Sequence, residues 1–319
     1  DLGGNSLSAT RVAAQLSAAL GVRVGVRDLF EAATVADLAA NLADSDRIAG
    51  KLPTPGPRPA LVPLSPAQQR MWFLNQFDTS VGAYNIPLVI RLRGELDPDA
   101  LRRACAMVIE RHESLRTKFP MTQGTPHQVV VAAEEVVPNL VAVPVEENQL
   151  RERVLAAVST GFDVTQAPPL RAELFTLGER DHVLMITVHH ICADGQSMIP
   201  LARDVAAAYQ ASRQGTAPQW PALSIQYADY ALWQREMLGD EGDPDSLVSR
   251  QLRFWERTLA GLPELLELPT DLPRPPVASL RARTVDFELS AELHARIGAV
   301  ARTANATAFM GLHAALSVL

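Results

Sequence analysis

The spacing of hydrophobic residues predicts a short series of strands in the middle of the chain. Alternation of apolar and polar residues over Asn85–Arg93 predicts a strand with one buried face. The apolar run at residues 182–187 predicts a buried strand that continues to His189. Residues 170–177 are predicted to pair with it across a turn at residues 178–181.

Helical spacing accounts for much of the remaining chain. Ser65 is a candidate N-cap with Pro66 at the first helical position, and a second helix opens at Asp97-Pro98 and ends near His112. Further helices are predicted at residues 148–159, 199–214, 224–237 and 247–259.

The first 45 residues have a helical pattern of their own. Leu7, Val12 and Leu16 recur at helical spacing, and a further helix is predicted at residues 35–43. This is too little chain for an independent core, so we expect an upstream helix to be missing. A run of alternating prolines then predicts a semi-rigid linker at residues 46–60.

A second proline-rich connector follows at residues 268–276. Beyond it, the pattern predicts a strand at residues 284–289 and two helices at 291–304 and 307–319. We expect the last helix to be interrupted by the end of the chain.

Composition excludes several classes of partner. Net charge is −7, no segment concentrates Lys or Arg, and aromatic residues make up 5% of the chain, so nucleic acid is not an expected ligand. The apolar runs are too short to cross a bilayer, and the N-terminus lacks a signal sequence. Cys105 and Cys192 are expected to be reduced thiols, so we expect a cytoplasmic protein.

His189 and His190 stand where the buried strand opens into the loop Ile191-Cys192-Ala193-Asp194-Gly195. An imidazole at such a place is a candidate metal ligand, general base or buried structural histidine. A metal site is disfavoured because neighbouring strand residues face opposite sides, and no cysteine or carboxylate cluster completes a ligand set. From these residues alone, a core histidine is the better interpretation.

For His112-Glu113, a capping or solvated cluster is favoured over an acid–base pair.

Two sets of motifs resemble a known family. Asp1-Leu2-Gly3-Gly4-Asn5-Ser6-Leu7 resembles the carrier-protein signature (D/E)-x-G-G-(H/N/D)-S-L of nonribosomal peptide synthetases. Four later segments resemble, in order, the condensation-domain motifs SxAQxRLW, RHExLRTxF, HHxxxDG and YxDYAxW. They are residues 65–74, 111–119, 189–195 and 227–233.

The resemblance implies an α+β protein made of two parts. A helical-bundle carrier domain without its first helix would occupy residues 1–45. After the linker at 46–60, a chloramphenicol acetyltransferase-like condensation domain would have its first lobe and connecting helices at 61–268 and the start of a truncated second lobe at 269–319. The active site of such domains lies in a tunnel between the lobes.

The resemblance also assigns roles to single residues. Ser6 would carry 4′-phosphopantetheine, and His190 would be the catalytic histidine. His189, Asp194 and Gly195 would complete the catalytic motif, with His189 facing the fold. Gly195 would allow the backbone to approach the substrate closely. Asp194 is expected to pair with an arginine of the second motif, Arg111, and Arg111 and Arg116 would give structural support. Gln196 departs from the tryptophan found in many members.

The implied reaction is amide formation between two thioesters in a bacterial synthetase that makes a product such as an antibiotic or a siderophore. The donor would come from the carrier at Ser6 and the acceptor from a downstream carrier. An upstream adenylation domain and a phosphopantetheinyl transferase are the other implied partners. Epimerisation of a carrier-bound thioester and a non-catalytic platform that recruits tailoring enzymes are the alternatives. The motifs favour condensation and weakly favour an L or achiral donor.

Overall fold

We describe the protein from a computed structural model, which covers residues 6–20, 22, 24–32, 34–43, 53–136, 138, 140–265, 269–273, 275–276, 285–304 and 306–318. Two compact units divide the chain, Asp1–Pro263 and Glu264–Leu319.

The N-terminal part of the first unit is helical. Its helices are α1 (Ser6–Leu20), α2 (Val26–Glu31) and α3 (Val35–Ala43). Ala13, Val24 and Leu42 are buried together at their centre. The predicted helices at this end are therefore confirmed. The glycine pair Gly3-Gly4 and the first part of the predicted linker lie outside the described residues.

The rest of the first unit contains both strands and helices. The strands are β1 (Val62–Pro63), β2 (Asn85–Arg93), β3 (Thr117–Lys118), β4 (Met121–Thr122), β5 (Thr125–Val130), β6 (Ala142–Pro144), β7 (Leu170–Gly178) and β8 (Asp181–His189). The helices are α4 (Pro66–Phe77), α5 (Pro98–Arg111), α6 (Glu147–Ser159), α7 (Met198–Arg213), α8 (Tyr227–Leu238) and α9 (Leu247–Thr258).

The larger sheet has the strand order β2-β8-β7-β6. β8 is antiparallel to both of its neighbours, and β6 runs parallel to β7. Every residue of β8 after Asp181 is buried, as its apolar run predicted. The register places Asn85, the first residue of β2, opposite His189, the last residue of β8.

Helices cover both faces of this sheet. Apolar residues of α5 and α7 pack on one face around Leu184, Ile186 and Val188. On the other face, α6 contributes partly buried residues to a cluster around Val183 and Met185. Because both faces are covered, β8 is held firmly where it ends at the two histidines.

A second, smaller sheet is built on β5, which pairs with β1, β3 and β4. Next to it lies α4, which begins as predicted: the Ser65 side chain accepts a hydrogen bond from the Gln68 backbone N–H at 3.1 Å, and Pro66 follows at the first helical position. The most buried α4 side chains are polar, namely Gln68 and Asn75. Asn75 Nδ2 donates to the Phe162 carbonyl at 2.8 Å, which makes its burial favourable.

The second unit contains α10 (Ala291–Thr303) and α11 (Ala308–Val318), close to the predicted bounds. The strand predicted at residues 284–289 is wrong for residues 285–289, which have no strand pairing, and Thr284 lies outside the described residues. Val285 is 82% and Phe287 80% exposed. Alternation marks a half-buried strand only where a neighbouring strand supplies hydrogen bonds, and the described residues supply none here.

In the part of the chain that the structure describes, no helix is both long and apolar enough to cross a membrane.

Candidate active site

His190 lies one residue beyond the end of β8, and its side chain is exposed. Its backbone N–H donates to the Tyr84 carbonyl at 2.8 Å. Tyr84 directly precedes β2, so this bond extends the β2–β8 ladder by one position. The imidazole therefore projects to solvent from a backbone that is still held by the sheet.

His189, by contrast, is 1% exposed. Its backbone N–H donates to the Pro169 carbonyl at 3.1 Å, and its Nδ1 accepts from the Ile191 N–H at 3.1 Å. Burial, and secondarily the charge of His190, lower the pKa of His189 to about 4. A ring that is neutral at physiological pH and already accepts a backbone hydrogen bond is suited to holding the loop in place.

Asp194 caps the turn that leads into α7. Its Oδ1 accepts from the Ser197 N–H at 2.9 Å and from the Ser197 hydroxyl at 2.7 Å, and the Asp194 N–H donates back to that hydroxyl at 3.1 Å. The expected ion pair between Asp194 and Arg111 is wrong: the Asp194 carboxylate binds Ser197, and Arg111 binds Asp204. A Cβ at Gly195 would meet nothing within 4 Å, so the space beside its backbone is open.

Arg111 binds Asp204 on α7. Arg111 Nε lies 3.0 Å and His112 Nε2 2.7 Å from the same oxygen, Asp204 Oδ2. The guanidinium carbon also lies 4.8 Å from the centre of the Trp220 ring. His112 is the C-cap residue of α5, as the capping interpretation predicted, so this cluster joins the end of α5 to α7.

Arg116 and Glu113 belong to a second charged cluster. Arg116 Nη1 donates to the Val131 carbonyl at 2.6 Å, and its Nη2 lies 4.0 Å from Glu113. Arg58 bridges Glu113 at 2.7 Å and the buried Asp229 at 2.9 Å. Sequence reasoning missed Arg58, because it lies in the proline-rich segment that was assigned to the linker. The three arginines thus contact Asp204, Glu113 and Asp229.

The first and fourth motifs meet in the same region. The Ser65 and Tyr227 hydroxyl oxygens are 3.0 Å apart. Burial is the main reason that the pKa of Tyr227 is raised, and the nearby Asp194 carboxylate adds to the effect. The structure thus brings together motifs that are about 160 residues apart in the chain.

Cys192 is not a nucleophile for this site. Its Sγ donates to the His189 carbonyl at 3.1 Å, and burial raises the pKa of the thiol to about 12. With Ala193 it lines a cavity of about 210 Å³ behind the loop, next to the start of α7. The thiol is therefore protonated at neutral pH, which leaves His190 as the exposed basic group of the loop.

Family models match almost the whole chain. Residues 60–319 match the condensation domain. The chain belongs to the condensation-domain family. Residues 1–42 match the phosphopantetheine attachment site, so the recognition of a carrier domain followed by a condensation domain is confirmed.

The proteins that the chain resembles over most of its length include nonribosomal peptide synthetases and an X-domain. The chain is 44% identical over 319 residues to a dimodular nonribosomal peptide synthase of Bacillus subtilis, covering 100% of this chain and 13% of that protein. It is 40% identical to the X-domain in a solved complex of the X-domain and OxyB from teicoplanin biosynthesis, with a TM-score of 0.74 over 81% of this chain and 56% of that chain. The chain thus spans about an eighth of the curated relative.

A more distant structure supports the fold alone. The first condensation domain of the CDA synthetase is 22% identical, with a TM-score of 0.55 over 66% of this chain and 53% of that chain. The predicted α+β, chloramphenicol acetyltransferase-like fold is confirmed.

The position of Ser6 at the start of α1 fits the phosphopantetheine group of the matched family. Ser6 is the first residue of α1, and the first turn of that helix contains no acidic residue. Free N–H groups at a helix N-terminus favour an anion such as a phosphodiester. Ser6 would hold the group, which supplies acyl substrates as thioesters on a long arm.

The capping role of Asp194 predicts different effects for two substitutions. Asp194→Asn keeps an oxygen acceptor for Ser197 and should leave the free energy of unfolding within about 0.5 kcal/mol of the native value, whereas Asp194→Ala should lower it by about 1 kcal/mol. Urea unfolding monitored by circular dichroism measures both. If Asp194→Asn is as destabilising as Asp194→Ala, the negative charge matters and the cap does not explain the residue.

The buried ring of His189 predicts a pH dependence. Its pKa of about 4 in the folded protein is below the ordinary 6.5, so the unfolded chain binds a proton that the folded one does not. This contribution to stability is complete above about pH 6.5 and is lost as the pH falls towards 4, by up to about 1.4 kcal/mol per pH unit. NMR of histidine-labelled protein should show the His189 ring unchanged between pH 5.5 and 8, with His189→Asn identifying the signal. A midpoint near 6.5 would contradict the assignment.

Proposed function

We propose that this chain contributes to amide-bond formation between two carrier-bound substrates, with Ser6 carrying the donor arm and His190 acting on the amine of the acceptor. The observation that supports this most is the contrast between the two histidines. His189 is buried and neutral, whereas His190 is exposed on a backbone tied to the Tyr84 carbonyl. An imidazole held in this way can contact a substrate, because its backbone is fixed while its ring stays exposed.

The chemistry requires one proton acceptor. Overall, the acceptor amine forms a C–N bond to the donor carbonyl, the C–S bond breaks, and one proton moves from nitrogen to the released sulfur. A free α-amino group has a pKa of about 8, so part of it is neutral and nucleophilic at cellular pH. Once it attacks, the nitrogen becomes acidic. His190 would orient the amine, accept that proton and return it to the leaving sulfur.

Positioning should contribute more than proton transfer. Holding two tethered reactants together can lower the barrier by about 7 kcal/mol or more. A well-placed general base typically adds about 10²-fold or more to the rate. Donor and acceptor carriers are therefore the proposed partners, with a phosphopantetheinyl transferase and an upstream adenylation domain needed to load them.

A second candidate is a docking platform for another protein. It is supported by the X-domain structure, which is 40% identical to this chain and is solved in a complex with OxyB. The chain keeps the complete HHxxxDG pattern at residues 189–195, which favours catalysis over a platform alone. Epimerisation of a carrier-bound thioester is the third candidate, and the experiment below distinguishes it from condensation.

The decisive experiment uses a synthetase module that contains this chain within a complete condensation domain. With loaded donor and acceptor carriers, mass spectrometry should show a longer peptidyl thioester on the acceptor carrier. His190→Ala should lower its rate of formation by about 10²-fold or more. Ser6→Ala should abolish both the phosphopantetheine mass increment and donor transfer.

Three results would overturn the proposal. A D-epimer without a longer product would indicate epimerisation. No product, together with stable binding of a second protein, would indicate a platform. Unchanged product formation by His190→Ala would remove His190 from the reaction.

A further inference from the structure

Two loops cross next to the histidines. The loop between α4 and β2 and the loop after α6 exchange backbone hydrogen bonds, from Gly82 N–H to the Ser159 carbonyl at 3.1 Å and from Gly161 N–H to the Ser80 carbonyl at 3.0 Å. A Cβ atom at Gly82 would collide with the backbone at the end of α6, and one at Gly161 would collide with the backbone of the α4–β2 loop. The approach is thus closer than any other residue allows at these two positions.

The side chain of Asn85 ties this crossing together. Its Nδ2 donates to the Val158 carbonyl at 2.7 Å and to the Thr160 carbonyl at 2.8 Å. Two carbonyl partners fix the orientation of the amide, because only its nitrogen end can donate. Arg171 holds the same loop from β7 by donating to the Gly161 carbonyl at 2.9 Å and to the Thr160 carbonyl.

The crossing is connected directly to both histidines. Tyr84, the neighbour of Asn85, provides the carbonyl that accepts the His190 N–H at 2.8 Å. Phe162 follows Gly161, and its ring centre lies 6.5 Å from that of His189 in an edge-to-face arrangement. The Arg171 guanidinium carbon lies 3.8 Å above the Phe162 ring. Moving either loop would therefore move the backbone from which the His190 imidazole projects.

We propose that Asn85 is a positioning residue for His190. By binding one carbonyl in the last turn of α6 and one in the loop after it, its amide keeps the Tyr84 carbonyl under the His190 N–H and so keeps the imidazole at the reacting amine. Asn85 itself does not touch the substrate. This inference rests on the proposed condensation activity, and it assigns a role to a residue outside the HHxxxDG pattern.

The test compares two substitutions whose order of severity depends on this geometry. Asn85→Asp keeps the size and shape of the side chain but turns an oxygen towards two carbonyl oxygens, which should push the loops apart. Asn85→Ala only removes the tie. In the complete module, kcat should fall by about 10-fold or more for Asn85→Asp and by about 3-fold for Asn85→Ala. The KM for the loaded acceptor carrier should stay within about twofold, because the substrate contacts are intact.

Each variant is assayed at a temperature 20 °C below its own melting temperature. A lower kcat then reports a loss of positioning and not partial unfolding. Asn148→Asp makes the same chemical change on an exposed position of α6 and should leave kcat unchanged. If Asn85→Asp keeps the native kcat, or if Asn85→Ala is the more severe of the two, the inference is overturned. If Asn85→Asp does not fold, the test depends on Asn85→Ala, and a native kcat in that variant also overturns the inference. Full activity of His190→Ala would instead overturn the proposed function.

Discussion

The structure of the candidate site depends on the backbone hydrogen bond between the His190 N–H and the Tyr84 carbonyl. It is the last bond of the β2–β8 ladder, and it connects a buried strand to an exposed imidazole. Helices pack on both faces of β8 and restrain its position. One residue further on, the chain leaves the core. The site therefore combines the rigidity of a central strand with the access of a loop.

Charged and polar side chains then fix the surroundings of this point. Asp204 joins the ends of α5 and α7 through Arg111 and His112, whereas Arg58 joins Glu113 to Asp229. These ion pairs are partly buried, so each group would leave an unsatisfied partner if it were removed. Many residues of the family motifs thus make contacts that hold the structure around the candidate site, and few of them are exposed where a substrate could react. His190 stands out because it is exposed and because, among the residues that the structure describes, only its backbone makes a hydrogen bond.

Much of the fold followed from hydrophobic spacing, because buried strands and amphipathic helices must follow the period of their elements. β2, β7, β8 and the helices of the first unit lie close to their predicted bounds. The partner of Asp194 could not be predicted in this way. A carboxylate binds the nearest suitable donor, and Ser197 is only three residues away, whereas Arg111 is satisfied by Asp204. The role of Arg58 was hidden for a similar reason, since a contact between residues 171 positions apart leaves no local pattern. The alternation of apolar and polar residues at 285–289 predicted a strand wrongly, because a strand also needs a neighbouring strand to pair with.

The central claim is that the fold presents the His190 imidazole to the acceptor amine. The most direct measurement is a crystal structure of a complete condensation domain containing this chain, with a stable acceptor analogue that retains a free amine. The account predicts a distance of about 3.2 Å or less between the amine nitrogen and an imidazole nitrogen of His190, with the Tyr84–His190 backbone bond intact. An amine bound more than about 5 Å from His190, beyond direct hydrogen-bond reach, would contradict it.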